Sequence, residues 1–210
     1  MAARCYSQRK TAGWTTDRPK EVAEAERLAR QAAELGRDDA VALWTAGLAL
    51  AFVVGDLEDG ASYTDRALAL NPNLIWAWLF SGWVKVMIGE PEVAIERFRQ
   101  AMRLNPQDPL FFQMQAGTAL AHFFAGRYNE ASTLAETAMR DQPNFILGWC
   151  TMAASAALAG RTEEACKAMA RLRQLEPELH LSNLRDFLTL RQSADFANWE
   201  EGLRLAGLPE

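Results

Sequence analysis

Apolar and polar positions alternate with a helical period along most of this chain. The clearest stretch is Ile75 to Pro106, in which Trp76, Phe80, Trp83 and Met87 step by four, three and four residues and so share one helix face. After Gly89-Glu90-Pro91 the period resumes with Val93, Ala94, Phe98, Ala101 and Met102, now interleaved with charge. Gly89 suits the left-handed turn that ends one helix, and Pro91 suits the first turn of the next, where its missing N–H costs nothing. The pattern predicts a helix–turn–helix hairpin.

The hairpin recurs. Turn glycines Gly55, Gly89, Gly126 and Gly160 are separated by 34, 37 and 34 residues, and so are Pro72, Pro106, Pro143 and Pro177. Trp44, Trp78 and Trp149 share one column of the first helices, with Gln115 in the third unit. Small residues mark two columns of the second helices: Gly60, Ala94, Ala131 and Ala165 early, and Ala67, Ala101 and Ala138, with Leu172, late. Small side chains are needed where two helix backbones approach closely, and each proline ends a helix just before it. Self-similarity at this period specifies an array of supersecondary units that bury their apolar faces against one another.

This pattern resembles the tetratricopeptide repeat, a 34-residue pair of antiparallel helices. The second unit carries the likeness best, through Trp78, Gly82, Gly89, Ala94, Phe98, Ala101 and Pro106. The resemblance implies an all-α fold, a right-handed α-solenoid of antiparallel helix pairs. It departs from the family where Ala51, Lys85, His122 and Ala156 replace the usual tyrosine, and where three extra residues around Gln107-Asp108-Pro109 loosen one junction.

Three regions follow. Residues 1–40 read as an irregular first repeat, with a helix over part of Met1–Lys10, a break at Thr11–Pro19 and a strong helix from Glu21 to Leu35. Residues 41–177 hold four hairpins at 41–72, 75–106, 112–143 and 146–177, with Asp56 and Thr162 as caps of second helices. Residues 178–210 form a C-terminal capping helix pair, Ser182–Leu190 with Ser182 as its cap, then Ser193–Ala206 ending at Gly207. Arg4, Arg9, Lys10, Arg18 and Lys20, against Asp17, make the beginning locally basic, which reads as a solvated segment.

A closer likeness lies in Gly202-Leu203-Arg204-Leu205-Ala206-Gly207-Leu208-Pro209-Glu210, in Arg66–Pro72 with Trp78, and in Phe124–Asn129. Together these resemble the repeat arm of bacterial class III adenylate/guanylate cyclase-like proteins and related winged-helix regulators. That resemblance implies a scaffolding or regulatory arm of a signalling protein whose catalytic or DNA-binding head lies upstream, so that no catalytic residue carries over to this chain.

Charge and composition narrow the chemistry. The 210 residues are 50% hydrophobic with a formal net charge of −5, enough to bury a core and opposed to phosphate binding, so no nucleic-acid role is expected. Cys5, Cys150 and Cys166 form no CxxC pair, and their odd number points to a reducing compartment, the cytoplasm. The apolar runs 41–55 and 146–160 are shorter than the roughly 20 residues a membrane helix needs. There is no GxGxxG, P-loop, GxSxG or HExxH. His122 and His180 lack a second ligand at metal spacing, and Asp56-Leu57-Glu58-Asp59-Gly60 has the wrong oxygen spacing for a calcium loop. No cofactor and no metal are expected.

The candidate binding surface is the concave stripe of the first helices: Trp76, Phe80, Trp83 and Met87, flanked by Gln113, Leu120 and Phe124. It lacks the lysine, arginine and asparagine with which peptide-clamping relatives grip a carboxylate. An apolar groove suits a protein or peptide with an apolar face, or self-association. Two alternatives stay open at this point: neighbouring helices or the C-terminal cap fill the stripe, or it forms the pocket of a small-ligand receptor or enzyme. The expected function is a non-catalytic protein–protein interaction module. Accordingly, the purified chain should turn over neither ATP nor GTP in phosphate-release and cyclic-nucleotide assays; turnover abolished by a substitution within this chain would overturn that expectation.

Overall fold

The computed structural model describes residues 2–11 and 13–210. Met1, with which the first helix was expected to begin, lies outside them. All regular structure among the described residues is helical: α1 (Ala2–Thr11), α2 (Arg18–Leu35), α3 (Ala40–Ala49) continued by a π-helical turn Leu50–Val54, α4 (Leu57–Leu70), α5 (Ile75–Ile88), α6 (Pro91–Leu104), α7 (Phe111–Phe124), α8 (Tyr128–Asp141), α9 (Ile146–Leu158), α10 (Thr162–Leu175), α11 (Leu184–Phe187) and α12 (Ser193–Leu205). The chain divides into two compact units, Met1–Lys85 and Val86–Glu210. Helix α5 begins in the first and ends in the second.

Local chemistry accounts for the helix ends. Asp17, Asp39 and Asp56 accept backbone N–H groups at the starts of α2, α3 and α4. With Pro19 seated in its first turn, α2 begins at Arg18, ahead of the expected Glu21. Gly55, Gly89, Gly126 and Gly160 all have positive φ. At two of these turns the chain closes with a six-residue loop: Arg127 N–H donates to His122 O at 2.9 Å and Arg161 N–H to Ala156 O at 2.8 Å. This closure uses Arg161 as the N-cap position of α10. Thr162, expected as the cap, is therefore the first helical residue instead.

Two further details differ from expectation. The turn at Gly55 is wider by one residue, because both Gly55 and Asp56 N–H groups donate to Leu50 O, at 2.9 and 3.0 Å. This π-turn leaves Phe52 O without its α-helical donor. The segment expected as one helix from Ser182 is a 3₁₀ turn, Leu181–Asn183, followed by the single turn of α11. Its cap is His180 rather than Ser182, since Asn183 Oδ1 accepts the His180 N–H at 3.0 Å.

In the first unit, α3 packs against α2, α4 and α1. Gly47 and Gly60 let α3 and α4 meet backbone to backbone: a Cβ on Gly47 would lie 2.8 Å from Gly60 O. In the second unit α6 through α10 pack in chain order, α9 also touching α7 and α12. Here the small columns are filled by Ala94, Ala101, Ala131, Ala138 and Ala165, all buried. Pairs joined by such short turns run antiparallel.

Gly126 isolates the contribution of a turn, because its φ is +75° and no atom lies within 4 Å of a Cβ built there. Gly126→Val should therefore cost about 1–2 kcal/mol through backbone strain alone. Urea denaturation of the variant checks this, with an unchanged midpoint as the contrary result.

Candidate functional site

The expected groove residues fall in both units and are described within each. In the first unit, Trp76, Phe80 and Trp83 are half-buried. Phe80 stacks on Trp44 of α3, with ring centroids 5.1 Å apart and planes 7° apart, and Trp76 meets Trp44 edge-on at 5.9 Å. In the second unit Gln113 and Phe124 are half-buried, whereas Met87 and Leu120 are 2% and 0% exposed. Those two contribute packing rather than surface. Gly117, one 37-residue spacing after Phe80, faces α6: a Cβ there would meet the Phe98 ring at 2.3 Å.

The tryptophan column divides in the same way. Trp78 Nε1 donates to Pro72 O at 2.8 Å and Trp149 Nε1 to Pro143 O at 2.9 Å. Both indoles are half-buried and tie a first helix to the proline loop that precedes it. Trp78 is thus as much a clamp on the loop as a core residue. Trp44 is the exception, since its ring turns into the core and its Nε1 is buried without a hydrogen-bond partner. Gln115, in the same column, has a buried Oε1 without one.

The reading of the N-terminal basic residues as merely solvated needs correction for Arg4, Arg9 and Lys10, whereas Arg18 and Lys20 are exposed. Arg4 of α1 lies over Trp76 at 4.7 Å and over Trp44 at 5.6 Å, measured to the ring centroids. Lys10 Nζ donates to Phe52 O at 2.6 Å and sits 4.9 Å from the Phe52 ring. The carbonyl released by the π-turn is therefore taken by a lysine from α1. Cation–π contacts contribute about 0.5–1 kcal/mol when exposed and about 2 kcal/mol when desolvated. On its other side α1 is held by Arg9, which makes a two-pronged ion pair with Glu21 at 2.7 and 3.0 Å. Sequence reasoning missed this arrangement. Its signal was three basic residues in ten, Arg4, Arg9 and Lys10, with no acid among them.

In the second unit the C-terminal segment folds back onto α5, α8 and α9. Arg191 N–H donates to Met87 O at 2.9 Å, Asn198 Nδ2 donates to Tyr128 Oη at 3.1 Å, and Gly202 rests on Ala154. Phe196, Trp199 and Leu203 are buried beneath α12. Arg127 bridges Glu92, at 2.6 Å, and His122, whose Nδ1 accepts from Arg127 Nε at 2.8 Å. Burial, helped by the adjacent Arg127 charge, pushes His122 below the ordinary histidine range. It is a packed, accepting ring. Burial likewise pushes the Cys150 thiol up. Among the described residues no group of three or more His, Cys, Asp or Glu is placed to hold a metal ion, and no helix is long and apolar enough to cross a membrane.

The decisive comparison is with solved structures. The chain superposes on MamA with a TM-score of 0.60, at 18% identity over 81% of this chain and 94% of that one. A MamA fragment from Desulfovibrio magneticus RS-1 gives 0.62 at 20% identity, covering 83% and 95%. PilW, a widely conserved type IV pilus biogenesis factor, gives 0.69 at 14% identity, covering 98% and 89%. The fold is an all-α helical repeat of the tetratricopeptide type. No family model and no curated protein matches the sequence, and at these identities the likeness is one of fold.

The Arg9–Glu21 pair makes the seating of α1 dependent on pH. The Arg9 hydrogen bond, then that of the Thr16 N–H, lowers Glu21 from 4.5 to about 2. A carboxylate depressed in the folded state contributes stability above its unfolded value and loses it as pH falls through its folded one. The contacts of α1 should weaken between about pH 4.5 and pH 2, ahead of the rest of the first unit. Amide chemical shifts of Ala2–Lys10 across that range check this, and Glu21→Gln should abolish the transition.

Proposed function

We propose that this chain is a non-catalytic protein-interaction module, a scaffold built from helical repeats. The observation that carries the reading is the composition and exposure of α5. In 14 residues it holds three tryptophans and a phenylalanine, each only half-buried, on a helix that is apolar nearly all round. A helix of that kind buries every face or offers one to a partner, and large aromatics at a protein surface are the residue types that dominate binding hot spots. The helical-repeat fold suits the role, because neighbouring repeats present their first helices side by side as a continuous surface.

The finer form of the proposal is a regulatory or scaffolding arm of a signalling protein, with a protein or peptide bearing an apolar face, or another copy of the chain, as partner. It rests on the closing segment Gly202–Glu210 and its likeness to cyclase-associated repeat arms. The competing reading, a small-ligand receptor or enzyme, needs polar groups converging on an apolar pocket. What meets this face at Trp76 is a single guanidinium, that of Arg4 of α1.

The test is substitution within α5 after partner capture by crosslinking. Trp83→Ala should weaken binding of the captured partner by more than about 1 kcal/mol, roughly fivefold or greater, while leaving the fold intact by circular dichroism. A metabolite that raises the melting temperature, combined with partner binding indifferent to Trp83→Ala, would favour the receptor reading.

A further inference from the structure

The first unit carries a helix whose mode of attachment differs from that of every other helix beside it. Of the described side chains of α1, Ala3 and Ser7 are buried, while Cys5 and Gln8 are exposed. Its grip on the aromatic face comes instead from two cations, Arg4 over Trp44 and Trp76, and Lys10 on the Phe52 ring and carbonyl. Ten residues are too few for a stable helix in water without tertiary support. The segment is basic, whereas the chain as a whole carries a net charge of −5.

We propose that α1 is a displaceable occupant of the first unit's aromatic face, and that this face takes an arginine-bearing helix from a partner protein. The proposal rests on the interaction-module reading and names the kind of partner. The geometry of α1 supplies the recognition chemistry. Arg4 and Lys10 stand six residues apart, about 9 Å along a helix, with small Ala3 and Ser7 on the side that enters. A partner helix with arginine, then lysine six positions on, and alanine or serine at the contact reproduces each interaction. Trp44, stacked on Phe80 and met edge-on by Trp76, lies with Trp76 under the Arg4 guanidinium, whose flat, weakly hydrated charge matches an aromatic floor. The π-turn adds an acceptor, Phe52 O, which takes the second cation.

The experiment uses the full chain and a fluorescein-labelled, end-capped peptide of residues 2–11. In a chain carrying Arg4→Ala and Lys10→Ala, the native peptide should bind about tenfold tighter than in the unaltered chain. An otherwise identical peptide with Arg4→Ala should bind about tenfold weaker than the native peptide. Equal affinity for the two peptides, or no binding to an altered chain shown by circular dichroism to be folded, overturns the proposal. Concentration-dependent dimers of the altered chain in place of peptide binding also overturn it, in favour of α1 exchange between copies. Should the altered chain not fold, hydrogen exchange on the unaltered protein decides. Amides of α1 exchanging about a hundredfold faster than those of α3 support independent release, and exchange of both at one global rate refutes it. A failure here that leaves partner binding sensitive to Trp83→Ala removes only the α1 proposal and leaves the interaction-module reading standing.

Discussion

Much of the fold follows from how closely two helix backbones can approach. In the first unit a Cβ on Gly60 would lie 3.0 Å from Gly47 O, so α3 and α4 meet backbone to backbone. In the second unit alanines take the same place, at Ala94, Ala131 and Ala165 early in the second helices and at Ala101 and Ala138 late. A close approach of this kind demands a short turn, a short turn demands positive φ, and glycine supplies it. Larger side chains are then displaced to the outer edges of each pair, where Phe98 meets α7 at Gly117, Met139 meets α9 at Gly148, and Trp44 meets α5 at Phe80. Inserting bulk into the small columns would cost about 1–3 kcal/mol through overpacking and would splay the pair. Repeat length, turn residue and column composition are consequences of one steric limit.

That limit is why the architecture could be read from the residues. Glycines and stop prolines at intervals of 34, 37 and 34 residues mark chain geometry directly, and the helices begin and end around them. What a helix face does could not be read in the same way. Met87 and Leu120 belong to helices that are apolar on nearly every side, so no polar edge marks which face closes. Trp44, Trp78 and Trp149 share a column, yet one stacks in the core while two donate to proline carbonyls. The difference lies in Phe80, which gives Trp44 a stacking partner from a later helix. The π-turn was equally hidden, since Trp44 and Gly55 are separated by the same interval as Trp78 and Gly89. It is visible only as a hydrogen bond to Leu50 O.

Charge works at the edges of this packing. Arg30 of α2 reaches Asp56 and Asp59 at the start of α4, at 2.8 and 2.5 Å, while Arg127 joins Glu92 to His122. Exposed pairs of this type contribute about 0–1 kcal/mol each. Their value lies in position. Arg30 engages the carboxylates that flank the N-terminus of α4, where they also complement the helix dipole. Arg127 fixes the turn whose glycine it follows, and through its Nε holds His122 as an acceptor.

The two ends of the chain illustrate how differently the same kind of surface can be covered. In the second unit α12 is anchored by Phe196, Trp199 and Leu203, all buried, and by glycine-to-alanine contact at Gly202 and Ala154. Removing such an anchor exposes large apolar area, at roughly 25 cal/mol per Å², so α12 opens only when its surroundings do. In the first unit α1 buries little beyond Ala3 and Ser7 and is held by cations resting on rings and by one ion pair. Contacts of that sort can be traded for equivalent contacts from another helix with little change in hydrophobic burial. A face covered by an apolar anchor is part of the core, whereas a face covered by cations is held by contacts that do not depend on apolar burial. At Trp44 and Trp76 the cover supplied by Arg4 is of the second kind.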